Sequence, residues 1–292
     1  MKFDSVGLII NYKKEKTGET ACKIIDWLSS KKLKVCIEGN MGKEIGRKEL
    51  NCPTEKFLKE VDLIISLGGD GTLLRAARLA AAEDIPVFGV NLGGLGFLTQ
   101  IGIDDLEKSL EKLYQERYFL DERMMLSCTV KRREKEIKKF TSLNDVVIGK
   151  GAFARIICLA AYVNNDYVIT YSADGLVVST STGSTAYSLS AGGPIVSPNI
   201  NSIILTPICP HTLSARPLII GEDDQVKITL EVSEEVVMAT IDGQERFALK
   251  LNDEVIIKKS DHKARLITFK EKSFYAILRE KLRWSGQIDS IL

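Results

Sequence analysis

Val61-Asp62-Leu63-Ile64-Ile65-Ser66-Leu67-Gly68-Gly69-Asp70-Gly71-Thr72 is the stretch on which the reading of the whole chain turns. An apolar run of strand length, rich in Ile and Leu, stops in a glycine-rich turn that carries one aspartate. Leu73 to Ala82 then has the alanine, leucine and arginine content of a helix. An unbroken apolar strand suits a parallel sheet covered on both faces. A turn at its carboxyl end, opening a helix, is where open α/β sheets hold anionic ligands. The glycines let backbone N–H groups approach a phosphate without a Cβ in the way. Asp70 is the odd member, because a carboxylate repels phosphate. It points to proton abstraction or a bridging Mg²⁺, and so to chemistry at the turn. The competing reading is a structural corner with Asp70 as a helix cap.

Outward from this stretch, Val6–Ile10 reads as a strand, 17–30 as a helix, Lys34–Ile37 as a second strand and 53–60 as a short helix. Pro86–Val90 is another apolar strand, and it runs into a second glycine-rich turn, Asn91-Leu92-Gly93-Gly94-Leu95-Gly96-Phe97-Leu98. Strands alternating with helices predict a parallel, Rossmann-like sheet over about 1–100, with both glycine-rich turns on one edge. A helix is predicted over 104–116, after which the pattern changes. Short runs rich in Val, Ile and Thr recur at 126–131, 155–163, 167–171, 175–180, 202–206, 226–232, 236–241 and 254–258. They predict a mostly antiparallel β domain. Val163-Asn164-Asn165-Asp166-Tyr167 and Ile241-Asp242-Gly243-Gln244 read as hairpin turns. Phe274, Ile277, Leu278 and Leu282 have helical spacing, so 271–283 is predicted to be an amphipathic helix that packs back on the first domain. The expected division is 1–120 with 271–292 as the α/β domain and 121–270 as the β-rich domain.

A chain of 292 residues with 45% apolar and 27% charged residues has the composition of a globular protein with a substantial core. Its formal charge of +1 supplies no global field for nucleic acid or a membrane surface, so attraction for an anionic substrate has to be local. Apolar runs reach only about ten residues, and neither a membrane span nor a signal peptide is expected. The six cysteines are scattered without metal-ligand spacing, which suits reduced thiols in a cytoplasmic protein.

The Walker, orthodox dinucleotide and protein-kinase motifs are absent, as is the hydrolase elbow around Ser184. Neither His211 nor His262 sits in a catalytic constellation. A second dense stretch runs from Ala173-Asp174-Gly175 through Thr182-Gly183-Ser184-Thr185-Ala186-Tyr187-Ser188-Leu189-Ser190 to Gly192-Gly193-Pro194. Seven Ser and Thr hydroxyls fall within 179–188, a composition suited to binding a sugar or base; a capped, Ser/Thr-rich loop is the alternative. Asn144-Asp145 interrupts an apolar strand and is costly to bury unless bonded, and an ordinary bend is the plainer reading.

These motifs, with Thr206-Pro207-Ile208-Cys209-Pro210-His211-Thr212-Leu213-Ser214-Ala215-Arg216-Pro217, stand in the order of the NAD kinase family, which the chain resembles over essentially its whole length. The first motif alone is shared with diacylglycerol and sphingosine kinases; the set together is specific. The resemblance implies transfer of a phosphoryl group from ATP, or from polyphosphate in some members, to the 2′-hydroxyl of the adenosine ribose of NAD, with Mg²⁺ or Mn²⁺. Asp70 would take the hydroxyl proton and help organise the metal, which would otherwise be held through phosphates. Gly68, Gly69, Gly71 and Thr72 would approach phosphate groups. Asn144 and Asp145 would bind NAD, Asp174 would meet its nicotinamide end, and Thr185, Ala186, Tyr187 and Ser190 would line the adenine and ribose pocket. Phe97 would pack against the dinucleotide, and the two domains are expected to close on it together. Arg75, one turn into the helix, could reach a phosphate or could be a solvated helix residue. The resemblance also implies a homodimer or homotetramer.

Three positions depart from the family pattern: Asp145 stands where Glu is usual, Ala173 where Gly is usual, and Ser181 where Pro is usual. Asp145 is one methylene shorter, and Ser181 is expected to loosen a turn that proline would fix. A lipid kinase of the diacylglycerol type would need an apolar acceptor cleft, which the Ser/Thr-rich stretch does not suggest. A dinucleotide sensor without turnover would not need Asp70.

Overall fold

Six consecutive buried positions in Ser5–Ile10 and again in Leu63–Gly68 mark strands covered on both faces. The structure, a computed structural model, describes residues 3–12, 16–94, 96–99, 101–151, 156–232, 236–269 and 271–284. Leu95 of the second glycine-rich turn and Arg155 at the start of one predicted strand lie outside the described residues. Contacts divide the chain into two units, Met1–Glu122 with Ala264–Leu292, and Arg123–Lys263.

In the first unit, strands β1 (Ser5–Ile10), β2 (Lys34–Glu38), β3 (Asn51–Cys52), β4 (Leu63–Gly68) and β5 (Val87–Asn91) lie in the order β3-β2-β1-β4-β5. Every pairing along that order is parallel, with Val6 opposite Leu63 and Ile64 opposite Val87. This is the doubly wound order, whose direction reverses between β1 and β4. Helices α1 (Thr17–Ser30), α2 (Thr54–Glu60), α3 (Asp70–Ala80) and α4 (Leu106–Tyr114) connect and flank the strands. Ile24, Leu28, Leu110 and Leu113 from the helices join Leu8, Ile65 and Phe88 from the sheet in one apolar core. Asp62 fixes the β1–β4 register by accepting from the N–H groups of Asp4 and Ser5 and from the Ser5 hydroxyl.

The second unit is antiparallel β. It contains β6 (Phe119–Arg132, from Arg123 on), β7 (Lys135–Ser142), β8 (Asp145–Lys150), β9 (Ile157–Val163), β10 (Asp166–Ala173), β11 (Gly175–Thr180), the one-turn α5 (Tyr187–Ser190), β12 (Ser202–Ile208), β13 (Leu218–Gly221), β14 (Val226–Val232), β15 (Val237–Ile241), β16 (Glu245–Leu249) and β17 (Glu254–Thr268, to Lys263). Six strands form a sheet in the order β13-β12-β11-β8-β15-β16. A second layer pairs β10, β9, β14 and the start of β17. Val146, Ile148, Leu176, Val178 and Leu205 of the first layer bury against Leu159, Ala161 and Ile228 of the second. The β9–β10 hairpin turns on Asn164 and Asn165, both at positive φ, the conformation a tight two-residue hairpin requires. The closing residues of β17 belong to the first unit, where Leu266 pairs in parallel with Val87. Helix α6 (Phe274–Leu282) also belongs there, capped by Ser273 and burying Ile277 and Leu278. An ion pair between Lys112 and Glu271 ties the segment before it to α4.

Candidate active site

The glycine-rich turn ends β4 beside the point where strand order reverses, the position at which open α/β sheets bind ligands. Helix α3 starts three residues earlier than the composition suggests, so Asp70 is its first residue and Gly69 its cap. Gly68 is required here, because a Cβ would sit 2.1 Å from the Thr72 hydroxyl oxygen. The Asp70 side chain does not cap its own helix; it reaches the second glycine-rich turn instead. Its Oδ2 accepts from the Phe97 N–H at 2.9 Å. Its Oδ1 accepts from the N–H groups of Leu98 at 3.2 Å and Thr99 at 2.9 Å and from the Thr99 hydroxyl at 2.8 Å. Gly96 lets the turn come this close, since a Cβ there would lie 2.1 Å from Asp70 Oδ1. The two glycine-rich turns are thus joined through one carboxylate.

Arg75 is paired with Glu38, its Nη2 at 2.7 Å from Oε1. Burial opposes ionisation of Glu38, but the hydrogen bonds from Arg75 and Thr54 more than offset it and hold the carboxyl below its usual range. Among the described residues no three His, Cys, Asp or Glu side chains converge to hold a metal ion.

In the second unit, Asn144, Asp145, Ala186 and Tyr187 line one cavity of about 330 Å³, together with Val147, Thr240, Asp242, Gly243 and Arg246. Asn144 and Asp145 are 9% and 4% exposed, and the turn that carries them is bonded to a carboxylate. Asp242 Oδ1 accepts from the N–H groups of Asn144 at 2.8 Å and Asp145 at 3.1 Å, and its Oδ2 from that of Leu143 at 3.1 Å. The Asp242 N–H returns a bond to the Asp145 carbonyl at 3.0 Å. Burial, and then the adjacent Asp242 charge, push Asp145 up to about 7. Thr185 lies in the preceding turn with its hydroxyl on the Thr182 carbonyl, and Ser190 is exposed at the end of α5; neither lines this cavity. Asp174 links β10 to β11, its carboxylate 2.6 Å from Lys150 Nζ.

The hydroxyl-rich stretch corrects the reading made from composition. Ser179, Thr180, Ser181, Thr182, Ser184 and Ser188 are buried, and most are used up inside the protein. Thr180 Oγ1 donates to the Leu143 carbonyl at 2.7 Å and accepts from the Gly183 N–H at 3.0 Å. The Ser184 hydroxyl bonds to the Ser181 carbonyl and to Val196, and Ser188 bonds to Thr206. These hydroxyls pin the turn so that Ala186 and Tyr187 are presented. Ser181 does not loosen it: φ stays at −59°, a value proline would also adopt, and its hydroxyl bonds to the Ile200 carbonyl and to Ser202. Sequence reasoning missed Asp242, Arg246, Asn91 and Thr99 as site residues. Asp242 had been absorbed into a hairpin turn, where an aspartate at positive φ needs no further explanation.

A glycine-rich turn that opens a helix at the carboxyl edge of a parallel sheet defines the class of α/β proteins that hold nucleotides and other anionic ligands at that edge. Residues 6–118 match the ATP-NAD kinase N-terminal domain and residues 143–269 the ATP-NAD kinase C-terminal domain. The chain is 44% identical to the NAD kinase of Moorella thermoacetica over 281 residues, 96% of this chain and 90% of that protein. It is 43% identical to the NAD kinase of Thermoanaerobacter pseudethanolicus over 277 residues, 95% of this chain and 98% of that protein. Among solved structures, yeast NADH kinase complexed with NADH superposes with a TM-score of 0.90 at 27% identity, covering 98% of this chain and 89% of the yeast chain. An NAD kinase from Archaeoglobus fulgidus in complex with ATP gives a TM-score of 0.72 at 25% identity, covering 97% and 99%. The chain belongs to the NAD kinase family, enzymes that phosphorylate NAD.

Proposed function

We propose that this enzyme transfers the γ-phosphoryl group of ATP to the 2′-hydroxyl of the adenosine ribose of NAD, with Asp70 as the base. The observation that carries this reading is the bonding of Asp70. A carboxylate offers about four acceptor positions, two on each oxygen. Three donors crowd Oδ1, whereas among the described residues Oδ2 takes only the Phe97 N–H. Oδ2 therefore has a position left for a substrate hydroxyl. Gly68, Gly69, Gly71 and Thr72 bring the backbone at the head of α3 to the phosphates, where the helix dipole favours negative charge. Asn144, Asp145, Ala186 and Tyr187 hold the dinucleotide, supported by their shared cavity. Thr185, Ser190 and Asp174 of the β-rich unit also contact the dinucleotide in this reading, and Phe97 is a contact supplied by the α/β unit. Arg75 retains donors beyond the one on Glu38 with which to meet a phosphate.

Mg²⁺ or Mn²⁺ would enter with the donor's phosphates, since hard cations of this kind are bound through substrate oxygens rather than protein cages. The metal would neutralise charge on the transferring group. The β-rich unit serves as the NAD-binding domain and the α/β unit as the one that carries the base. A cytoplasmic setting is supported by the scattered spacing of the six cysteines in the sequence, and assembly as a homodimer or homotetramer follows the family resemblance. The test is NADP formation from NAD and Mg²⁺, run in parallel with ATP and with polyphosphate, for the wild type and Asp70→Asn. Turnover with ATP, lost by at least a hundredfold in Asp70→Asn while NAD still binds, supports the reading. Undiminished turnover in Asp70→Asn refutes the base.

A further inference from the structure

The Thr99 hydroxyl that reaches Asp70 is itself directed. A hydroxyl has one proton to give. Thr99 Oγ1 receives Asn91 Nδ2 at 2.8 Å, so its own proton goes to Asp70 Oδ1 at 2.8 Å. The Asn91 amide cannot be turned over to reverse this order. Its Oδ1 accepts from the Gly93 N–H at 2.9 Å, and its Nδ2 also donates to the Gly94 carbonyl at 2.8 Å. Asn91 and Thr99 are 4% and 1% exposed, too buried for water to replace these bonds. Asn91 closes β5 opposite Gly68, the last residue of β4 and two positions before Asp70. Asn91 stands at the end of a sheet strand and Thr99 packs against the same strand, where a Cβ on Gly89 would press on the Thr99 methyl at 3.1 Å.

From this chain of bonds we propose that Asn91 and Thr99 are positioning residues for phosphoryl transfer. Asn91 aims the Thr99 hydroxyl, which joins the N–H groups of Leu98 and Thr99 in spending Oδ1 of Asp70 on the protein and so commits Oδ2 to the acceptor hydroxyl. This inference rests on the reading of Asp70 as the base. In the step itself, the ribose oxygen forms a bond to the γ-phosphorus as the bond from that phosphorus to the β,γ-bridging oxygen breaks. The hydroxyl proton passes to Oδ2, the nucleoside diphosphate leaves with the bridging electron pair, and Asp70 returns the proton to solvent. If the carboxylate could turn about its χ2 torsion, the oxygen meeting the substrate would be mispositioned, and small misplacements at a reacting centre are costly.

The experiment compares Thr99→Val, which keeps the shape and removes the hydroxyl, with Thr99→Ser, which keeps the hydroxyl and removes a methyl. The expected result for Thr99→Val is a kcat lower by about tenfold with KM and Kd for NAD within about twofold of wild type. Thr99→Ser is expected to recover kcat to within about threefold. If Thr99→Val does not fold by circular dichroism, Thr99→Ala against Thr99→Ser makes the same comparison. A wild-type kcat in Thr99→Val, a Thr99→Ser variant as slow as Thr99→Val, or a loss expressed equally in Kd for NAD would overturn the inference. Asp70→Asn, run alongside, separates the two claims. Its retained turnover would remove the base and this inference together, whereas an inactive Asp70→Asn beside a fully active Thr99→Val would remove only the inference.

Discussion

Asp145 should make the protein less stable as the pH rises, and Asp145→Asn should abolish that dependence. The carboxyl is 4% exposed and lies beside the Asp242 carboxylate, which its own turn holds in place through three N–H groups. Its pKa stands at about 7 in the folded protein against an ordinary 3.8. Between those values the folded state binds a proton that the unfolded chain has released, so stability falls as pH increases. A separation of about three units at about 1.4 kcal/mol each makes the full loss about 4 kcal/mol, reached just above pH 7. Over pH 5 to 8 the loss is about 2–3 kcal/mol, since part of it has already occurred by pH 5. Asparagine keeps the shape and removes the titration. Urea unfolding followed by circular dichroism, at pH 5 and pH 8, should show Asp145→Asn gaining on wild type by about 2–3 kcal/mol at the higher pH. A difference that is the same at both pH values would refute the argument.

Other consequences are open to simpler tests. Gly96→Ala places a Cβ 2.1 Å from Asp70 Oδ1 and 2.5 Å from the Thr99 hydroxyl oxygen, so kcat for NADP formation should fall by at least about tenfold in a protein that still folds. Gly183→Ala meets the Asn144 carbonyl oxygen at 2.1 Å, a backbone atom that cannot swing aside; it should destabilise by about 1–3 kcal/mol in urea and raise KM for NAD. Asp253 is buried and receives the partly exposed Arg132 through two bonds of 2.7 Å, so Asp253→Ala should cost about 1.5–3 kcal/mol. Burial pushes the Asp253 pKa up, but Arg132 and the Lys250 N–H outweigh it and leave it lowered. That contribution is therefore complete above 3.8 and is lost as pH falls through the folded value; acid titration of wild type against Asp253→Ala, followed by circular dichroism, checks the sign.

Local patterns were legible wherever the signal was local. The apolar runs Leu63–Gly68 and Val87–Asn91 identified buried parallel strands because both faces are covered. Asn164-Asn165 marked its hairpin because few residue pairs tolerate two positive φ values. Edge strands were not legible. β7, β13 and β16 carry charged or exposed residues because an edge buries little, and none stood out from the surrounding loops. The run 254–258 was seen as a short strand, yet β17 continues to Thr268 through a highly charged stretch.

The sequence by itself determined the reaction class through its resemblance to a family, because Gly68–Thr72 and Thr182–Tyr187 are contiguous motifs that can be matched in order along the chain. Tertiary structure alone decided what holds those motifs in place. Thr99 meets Asp70 from 29 positions away and Asp242 meets Asn144 from 98, and no local pattern encodes a hydrogen bond over such separations. It also decided the fate of the seven hydroxyls. Whether a serine faces a ligand or a neighbouring carbonyl depends on burial, which the composition of a loop does not record.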